Sequence, residues 1–388
     1  MNHLVKRLLV IGGLFLLLAT PTASQESMLL GNTQRSRVFA TQSADAPPQH
    51  LLWQVDGLFR LKFSEERVSP MGSALLFGNF PVFSLSAPLV SDRTIFLSLN
   101  NYGDAYLLAI DARTGERIIT LNFADNVLCG LAAIGPVAFF GTAKGRVNAY
   151  DASSKSLKWS FEEKGTSFCV SDSAIADGVF YISGYNSGVY AFDANTGAVL
   201  WRFAFNKRFF GPAVQGDDVI ILTEDSLIGI DKKTSTKKWE ARVGRLYYGP
   251  AILDDQVFVR HIGGEIRAYA VKDGALQWKS NKQGGAKTAL VLFHGLVIYG
   301  EELGNIVALD ARTGAEKWRF KTKKPCRPPI VAGTTVYSRC ADHYLYALDA
   351  DSGTLRWSTE MKSSGLTPAI ADGVVYSLNP DGVLQAFR

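Results

Sequence analysis

Apolar and polar positions alternate along most of this chain in runs of five to seven residues, and short polar turns separate the runs. Residues 209–243 show the pattern plainly. Here the runs FFGPAV, VIILT, LIGID and KKWEARV are broken at QGDD, EDS and KKTST. Runs of this length are too short for helices, and the alternation suits strands with one buried face. The predicted unit is four short antiparallel strands.

That unit recurs with a period near forty residues. Its third turn and fourth strand read AIDARTGERI, AYDASSKSLKW, AFDANTGAVLW, GIDKKTSTKKW, AYAVKDGALQW, ALDARTGAEKW and ALDADSGTLRW. The closing tryptophans are Trp159, Trp201, Trp239, Trp278, Trp318 and Trp357, at spacings of 42, 38, 39, 40 and 39. Ile119 takes the tryptophan's place in the first full copy. Self-similarity at this period marks a repeat architecture. Four-stranded units that bury their faces against neighbours give an all-β fold, the β-propeller.

The recurrent residues have physical jobs. Asp111, Asp151, Asp193, Asp231, Asp310 and Asp349 stand eight residues before the tryptophan position. An Asp there accepts hydrogen bonds from the N–H groups of its own turn. Gly115, Gly197, Gly274, Gly314 and Gly353 follow four residues later, where the turn needs positive φ. Lys155 and Ser235 replace Gly in two copies, so those turns are expected to differ. Ala109, Ala149, Ala191, Gly229, Ala268, Ala308 and Ala347 stand ten before the tryptophan position. The pair of indole and small residue is read as the contact between neighbouring blades.

The last copy, LTPAIADGVVYSLNPDGVLQAFR, stops before its tryptophan strand, while HLLWQVD around Trp53 has no unit of its own. Residues 50–56 are therefore read as the outer strand of the last blade, closing the ring and removing an open edge. Counting Trp53, Ile119 and the six further tryptophans gives eight blades. The pattern A-x-D-x-x-T-G-x-x-x-W resembles the repeat of the pyrroloquinoline-quinone-type eight-bladed propellers. That superfamily holds quinoprotein alcohol dehydrogenases and, closest in kind here, the non-catalytic outer-membrane assembly factor BamB. The resemblance covers roughly residues 50–388 and speaks to fold more than to function.

Residues 1–24 read as a secretory signal peptide: Lys6 and Arg7, then LLVIGGLFLLLA, then small residues up to a cleavage near Ser24. The apolar run is short for a membrane span. No Cys stands nearby for lipid attachment. Residues 25–48 read as a flexible tether, and 49–388 as the propeller. The formal net charge of +5 is too mild to argue for nucleic acid. A secreted or periplasmic monomer is expected.

Four cysteines in an oxidising compartment allow three connectivities. Cys326 and Cys340 flank a hairpin turning near Gly333; Cys129 and Cys169 occupy similar places in consecutive units. The pairings 326–340 and 129–169 are preferred, with buried free thiols left open.

Candidate chemistry is sparse. The resemblance to quinoprotein enzymes implies an adjacent Cys-Cys disulfide, a quinone and a calcium site in the central funnel. The chain has no Cys-Cys pair, and no metal-ligand spacing joins its five histidines. His261 and His343, in the equivalent loops HIGGE and CADHY, are read as solvated. No catalytic or metal residue is assigned and no cofactor is expected; pyrroloquinoline quinone with calcium belongs only to the dehydrogenase alternative. One face collects cations and aromatics from NKRFFGP, GRLYYGP, GGAKT and KKPCRPP. Its candidate contacts are Arg208, Phe209, Arg245, Tyr247, Lys287 and Arg327, residue types that anchor protein interfaces. A second departure is the insertion at about 58–84 between Trp53 and Pro88, long enough to suggest a function. The expected function is a non-catalytic cell-envelope binding scaffold. It docks on an envelope protein, with an outer-membrane barrel assembly component as the resemblance's specific partner. The alternatives are a quinone-dependent dehydrogenase and a polysaccharide-binding propeller.

Overall fold

The computed structural model describes residues 38–39, 47, 50–56, 58, 84–100, 104–124, 128–169, 173–185, 187–205, 209–244, 246, 249–261, 263–280, 288–361, 365–379 and 382–388. These residues form eight sheets and no helix, antiparallel throughout except for one added strand, Val38–Phe39, that pairs in parallel. The sheets follow one another in sequence as blades 1 to 8: 84–124, 128–162, 174–203, 209–242, 251–279, 291–321, 330–360 and 369–387. Each is an up-and-down meander of four strands, as expected, and in blade 1 the inner strand is split into Ser84–Leu85 and Leu89–Ser91. Blade 8 takes its fourth strand from Leu51–Val55, which pairs with Leu384–Phe387. Successive inner strands touch around the ring, including those of blades 8 and 1.

The core is divided between the blades. Eight clusters of buried side chains fill the eight interfaces, one for each neighbouring pair. The cluster between blades 8 and 1 joins Ala369, Tyr376 and Ala386 to Val90, Leu97 and Ile110. Leu58, at the start of the long insertion, is buried in it, and its N–H donates to the Gly382 carbonyl at 3.2 Å. Residues 59–83 lie outside the described residues.

The tryptophans join the blades, and an alanine at the small position lies with its tryptophan in the cluster that faces the next blade, as Ala149 does with Trp159 and Ala308 with Trp318. Trp159 lies directly opposite Ala149 in its own sheet, and Trp318 opposite Ala308. The small residue is thus a partner within the blade. Its place marks a β-bulge: the register shifts just after Ala149, Ala191, Gly229, Ala268, Ala308 and Ala347. A bulge sharpens local twist, which helps each outer strand turn away from the axis. The turn glycine of the next blade completes the contact between blades. A Cβ on Gly353 would stand 2.5 Å from Trp318, and one on Gly197 would stand 2.6 Å from Trp159. The indole N–H then donates to a carbonyl of that same turn: Trp159 to Ala194 at 2.9 Å, Trp239 to Val271 at 2.7 Å, Trp318 to Ala350 at 2.9 Å. Trp53 does so across the joint between blades 8 and 1, to Ala112 at 3.1 Å.

The turns themselves are Asp-centred. Asp193 accepts from the N–H groups of Asn195 and Thr196, and Asp310 from those of Arg312 and Thr313. Backbone N–H donation holds the Asp193 and Asp231 carboxyls below the usual range. Lys155 and Ser235 do not change the turn as expected. They adopt φ of 53° and 56°, the same left-handed conformation as the glycines they replace.

Candidate functional site on the mouth face

Strand direction sorts the connections onto two faces. The turns within each blade between strands 1 and 2, and between 3 and 4, share one face. The links between blades, with the hairpins between strands 2 and 3, share the other. We call these the turn face and the mouth face.

The mouth face carries a cavity of about 410 Å³ between blades 6 and 7. It is lined by Thr288, Glu301, Glu302, Arg327, Arg339 and Gly365, with the Cys326–Cys340 disulfide in its wall. Its floor is the link 322–329, which is stitched to blade 7. The Arg327 N–H donates to the Arg339 carbonyl at 2.7 Å, the Ser338 hydroxyl to the Arg327 carbonyl at 3.0 Å, and the Ala341 N–H to the Pro325 carbonyl at 2.8 Å. On the blade 6 side, Gly304 at φ 88° lies close against the backbone of 322–324, where a Cβ would stand 3.1 Å from Thr322 and Lys324. The link is therefore held in one shape by both neighbours.

Charge in the cavity is unevenly balanced. Glu301 is neutralised by Arg319 through two contacts, at 2.5 and 3.1 Å. Arg339 is buried, donates to the Ser377 hydroxyl and occupies the space that Gly365 leaves. Burial lowers its guanidinium to about 10, and the positive charge of Arg327 adds to the fall. It stays cationic at neutral pH. Arg327 itself points into solvent, as does Glu302. Next to Glu302 in the chain, Leu303 is 85% exposed at the tip of its hairpin. Other exposed leucines, such as Leu157, Leu276 and Leu355, recur at one outer-strand position, two before each tryptophan. Leu303 has no such place in the repeat.

Arg260 in blade 5 matches Arg339 in blade 7, since each ends the second strand of its blade. Arg260 is 2% exposed. It donates to the Thr288 carbonyl and hydroxyl at 3.0 and 2.9 Å and lies 4.5 Å from the Tyr299 ring centroid. Both arginines thus reach into the following blade and tie the walls of the cavity. The sequence does carry the signal, in VFVRH and VYSRC at equal register, but only their histidines and loops were singled out above.

Of the residues expected to make contacts, Arg327 is placed in this cavity. Phe209 opens the inner strand of blade 4. Arg208, Arg245, Tyr247 and Lys287 lie outside the described residues, as do residues 1–24. Cys129 is joined to Cys169, linking blade 2 to the entry of blade 3, and Cys326 is joined to Cys340. His343 is exposed, but His261 is only half-exposed. Burial, with the charge of Arg267, lowers the His261 pKa despite the opposing Glu265. Among the described residues no three His, Cys, Asp or Glu side chains gather to hold a metal ion. No helix among the described residues is long and apolar enough to cross a membrane.

Comparison with known proteins adds the following. A computationally designed protein, Ika8, superposes with a TM-score of 0.67 at 15% identity, covering 79% of this chain and 96% of the other. BamB from Moraxella catarrhalis superposes with a TM-score of 0.59 at 18% identity, covering 79% of this chain and all of the other. At these identities both likenesses speak to fold. A serine/threonine-protein kinase, AfsK, from Streptomyces griseus is 30% identical over 132 residues, 32% of this chain. The chain spans 16% of that relative's length. The family model described as outer membrane protein assembly factor BamB matches residues 103–204, 185–303 and 302–388. With the repeat, the eight-bladed ring and this match over most of its length, the chain belongs to that family.

Proposed function

We propose that this protein is a non-catalytic scaffold of the cell envelope that docks on a membrane-protein assembly partner through its mouth face. The observation that carries the reading is the cavity between blades 6 and 7. A solvent-facing Arg327 stands on a link held by both neighbouring blades, and an 85% exposed Leu303 on the adjoining hairpin of blade 6. An exposed guanidinium on a rigid base is a residue type favoured at interface anchors. Rigidity matters because little ordering entropy is lost on binding. The family match supports the kind of partner, and the signal-like residues 1–24 support the compartment.

The test is in-cell crosslinking of the tagged full chain, followed by mass spectrometry of what is recovered. Recovery of an outer-membrane barrel assembly component, lost on Arg327→Glu with Leu303→Ser, is the expected result. Both changes are at the surface and should alter stability by no more than about 0.5 kcal/mol. Recovery unchanged in that double variant, or recovery of no protein partner, refutes docking by this face.

A further inference from the structure

The inner strand of blade 7, Ile330–Ala332, is paired on both edges. Its outward edge pairs with Thr335–Arg339 in the ordinary antiparallel ladder. Its other edge, which faces the axis of the ring, pairs in parallel with Val38–Phe39. Val38 is opposite Val331 and Phe39 opposite Ala332. The same two residues also lie against Val291–Phe293, the inner strand of blade 6. Among the described residues no other blade carries a strand on its axial edge. Val38 and Phe39 belong to the stretch read as a tether, so part of that stretch is seated in the channel.

An axial edge is a row of main-chain donors and acceptors, and such an edge accepts any extended chain that reaches it. Strand addition of this kind is a general mode of peptide recognition. The direction is informative too. Inner strands run from the mouth face to the turn face, so a parallel guest lies with its N-terminal end toward the mouth, the face with the cavity that holds Arg327. The guest seen here is short. Only two residues pair, and eleven residues, 40–50, separate them from the outer strand of blade 8. A guest on such a tether is held largely by its local concentration, on the order of millimolar for short flexible links. A longer extended segment from another chain has more main-chain groups to offer.

We propose that the axial edge of blade 7 is a strand-acceptor site for extended peptide segments, and that Val38–Phe39 is its displaceable internal occupant. The proposal rests on the scaffold reading only for the natural source of the guest. Its test uses no docking partner, so the two readings fail separately.

The test is fluorescence anisotropy with a labelled synthetic peptide of residues 34–43. It is titrated with the full chain and with the full chain carrying Val38→Pro and Phe39→Pro. Proline removes the N–H groups and disfavours the ladder, and both positions lie outside all eight blades. The peptide should bind the substituted chain at least tenfold more tightly than the parent, and a peptide with the same two prolines should not bind. Amide exchange at 330–332 should quicken in the substituted chain and slow again when peptide is added. Equal binding to both chains, binding to neither, or exchange at 330–332 that ignores the substitutions would overturn the proposal.

Discussion

Two cavities of nearly equal volume lie on opposite faces of the ring, and they are built from different material. The one on the turn face, about 420 Å³, is lined by Asp254, Asp310, Ala311, Arg312 and Asp351. Most of these are turn residues that recur from blade to blade. The one on the mouth face, about 410 Å³, is lined by Cys326, Arg327, Arg339 and Cys340. The disulfide and the exposed Arg327 belong to blade 7 alone. The repeat accounts for the first cavity as a by-product of joining blades. It does not account for the second. In a repeat protein the conserved period builds the frame, while individual character sits where the chain departs from it.

The largest test of the contrast is on the turn side. Trp318→Ala removes an indole that fills the interface between blades 6 and 7 and leaves the Ala350 carbonyl without its donor. It should cost about 3–5 kcal/mol in urea unfolding. A loss under 1 kcal/mol would mean that the tryptophans do not join the blades. A sharper test compares two glycines of one face. Gly353→Ala meets both a left-handed backbone and the Trp318 ring, and should cost roughly 2–4 kcal/mol. Gly135, at φ 54°, has nothing within 4 Å of an added Cβ, so Gly135→Ala should cost only about 1–2 kcal/mol of backbone strain. Equal losses would remove the claim that glycine is required by the neighbouring indole.

The smallest effect is electrostatic. Hydrogen bonds from Arg356, then from Ser352, hold the Asp349 carboxyl at about 2, below its ordinary 3.8. A depressed carboxylate stabilises the fold above its unfolded value, and that contribution is lost as pH falls from about 4 toward 2. The pair is partly exposed, so Asp349→Asn should cost only about 1 kcal/mol at pH 6. The difference between parent and variant should vanish near pH 2. A difference that persists there would point to the shape of the turn rather than its charge.

The frame was legible because it is written locally and repeatedly. Trp159, Asp193 and Gly197 act within a turn or on the next turn along, and seven copies make the register plain. The small residues were legible for the same reason: Ala149 stands ten before Trp159 in one repeat, pairs with it and lies with it at the interface with blade 3. The bulge beside each small residue was not, because strand register is not revealed by spacing alone. Arg260 and Arg339 were passed over because a buried guanidinium is explained only by what the next blade offers, Thr288 in one case and Ser377 in the other. Val38 and Phe39 form too short a pair to show any period. Among the proposed mouth-face contacts, Arg327 was picked out from the loops that strand order brings to one face. Leu303 was not, since one apolar residue in a polar turn carries no signal until its exposure is known.

The central claim is that the mouth face binds and the turn face builds. It is tested most directly by site-specific photo-crosslinking in cells, with one probe per variant. Probes at Leu303 and Arg327 report on the mouth face, and probes at Lys233 and Arg312 on the turn face. The account expects the same protein adduct from both mouth positions and none from the two turn positions. Adducts of equal yield from Lys233 and Arg312, or from those two alone, would contradict it.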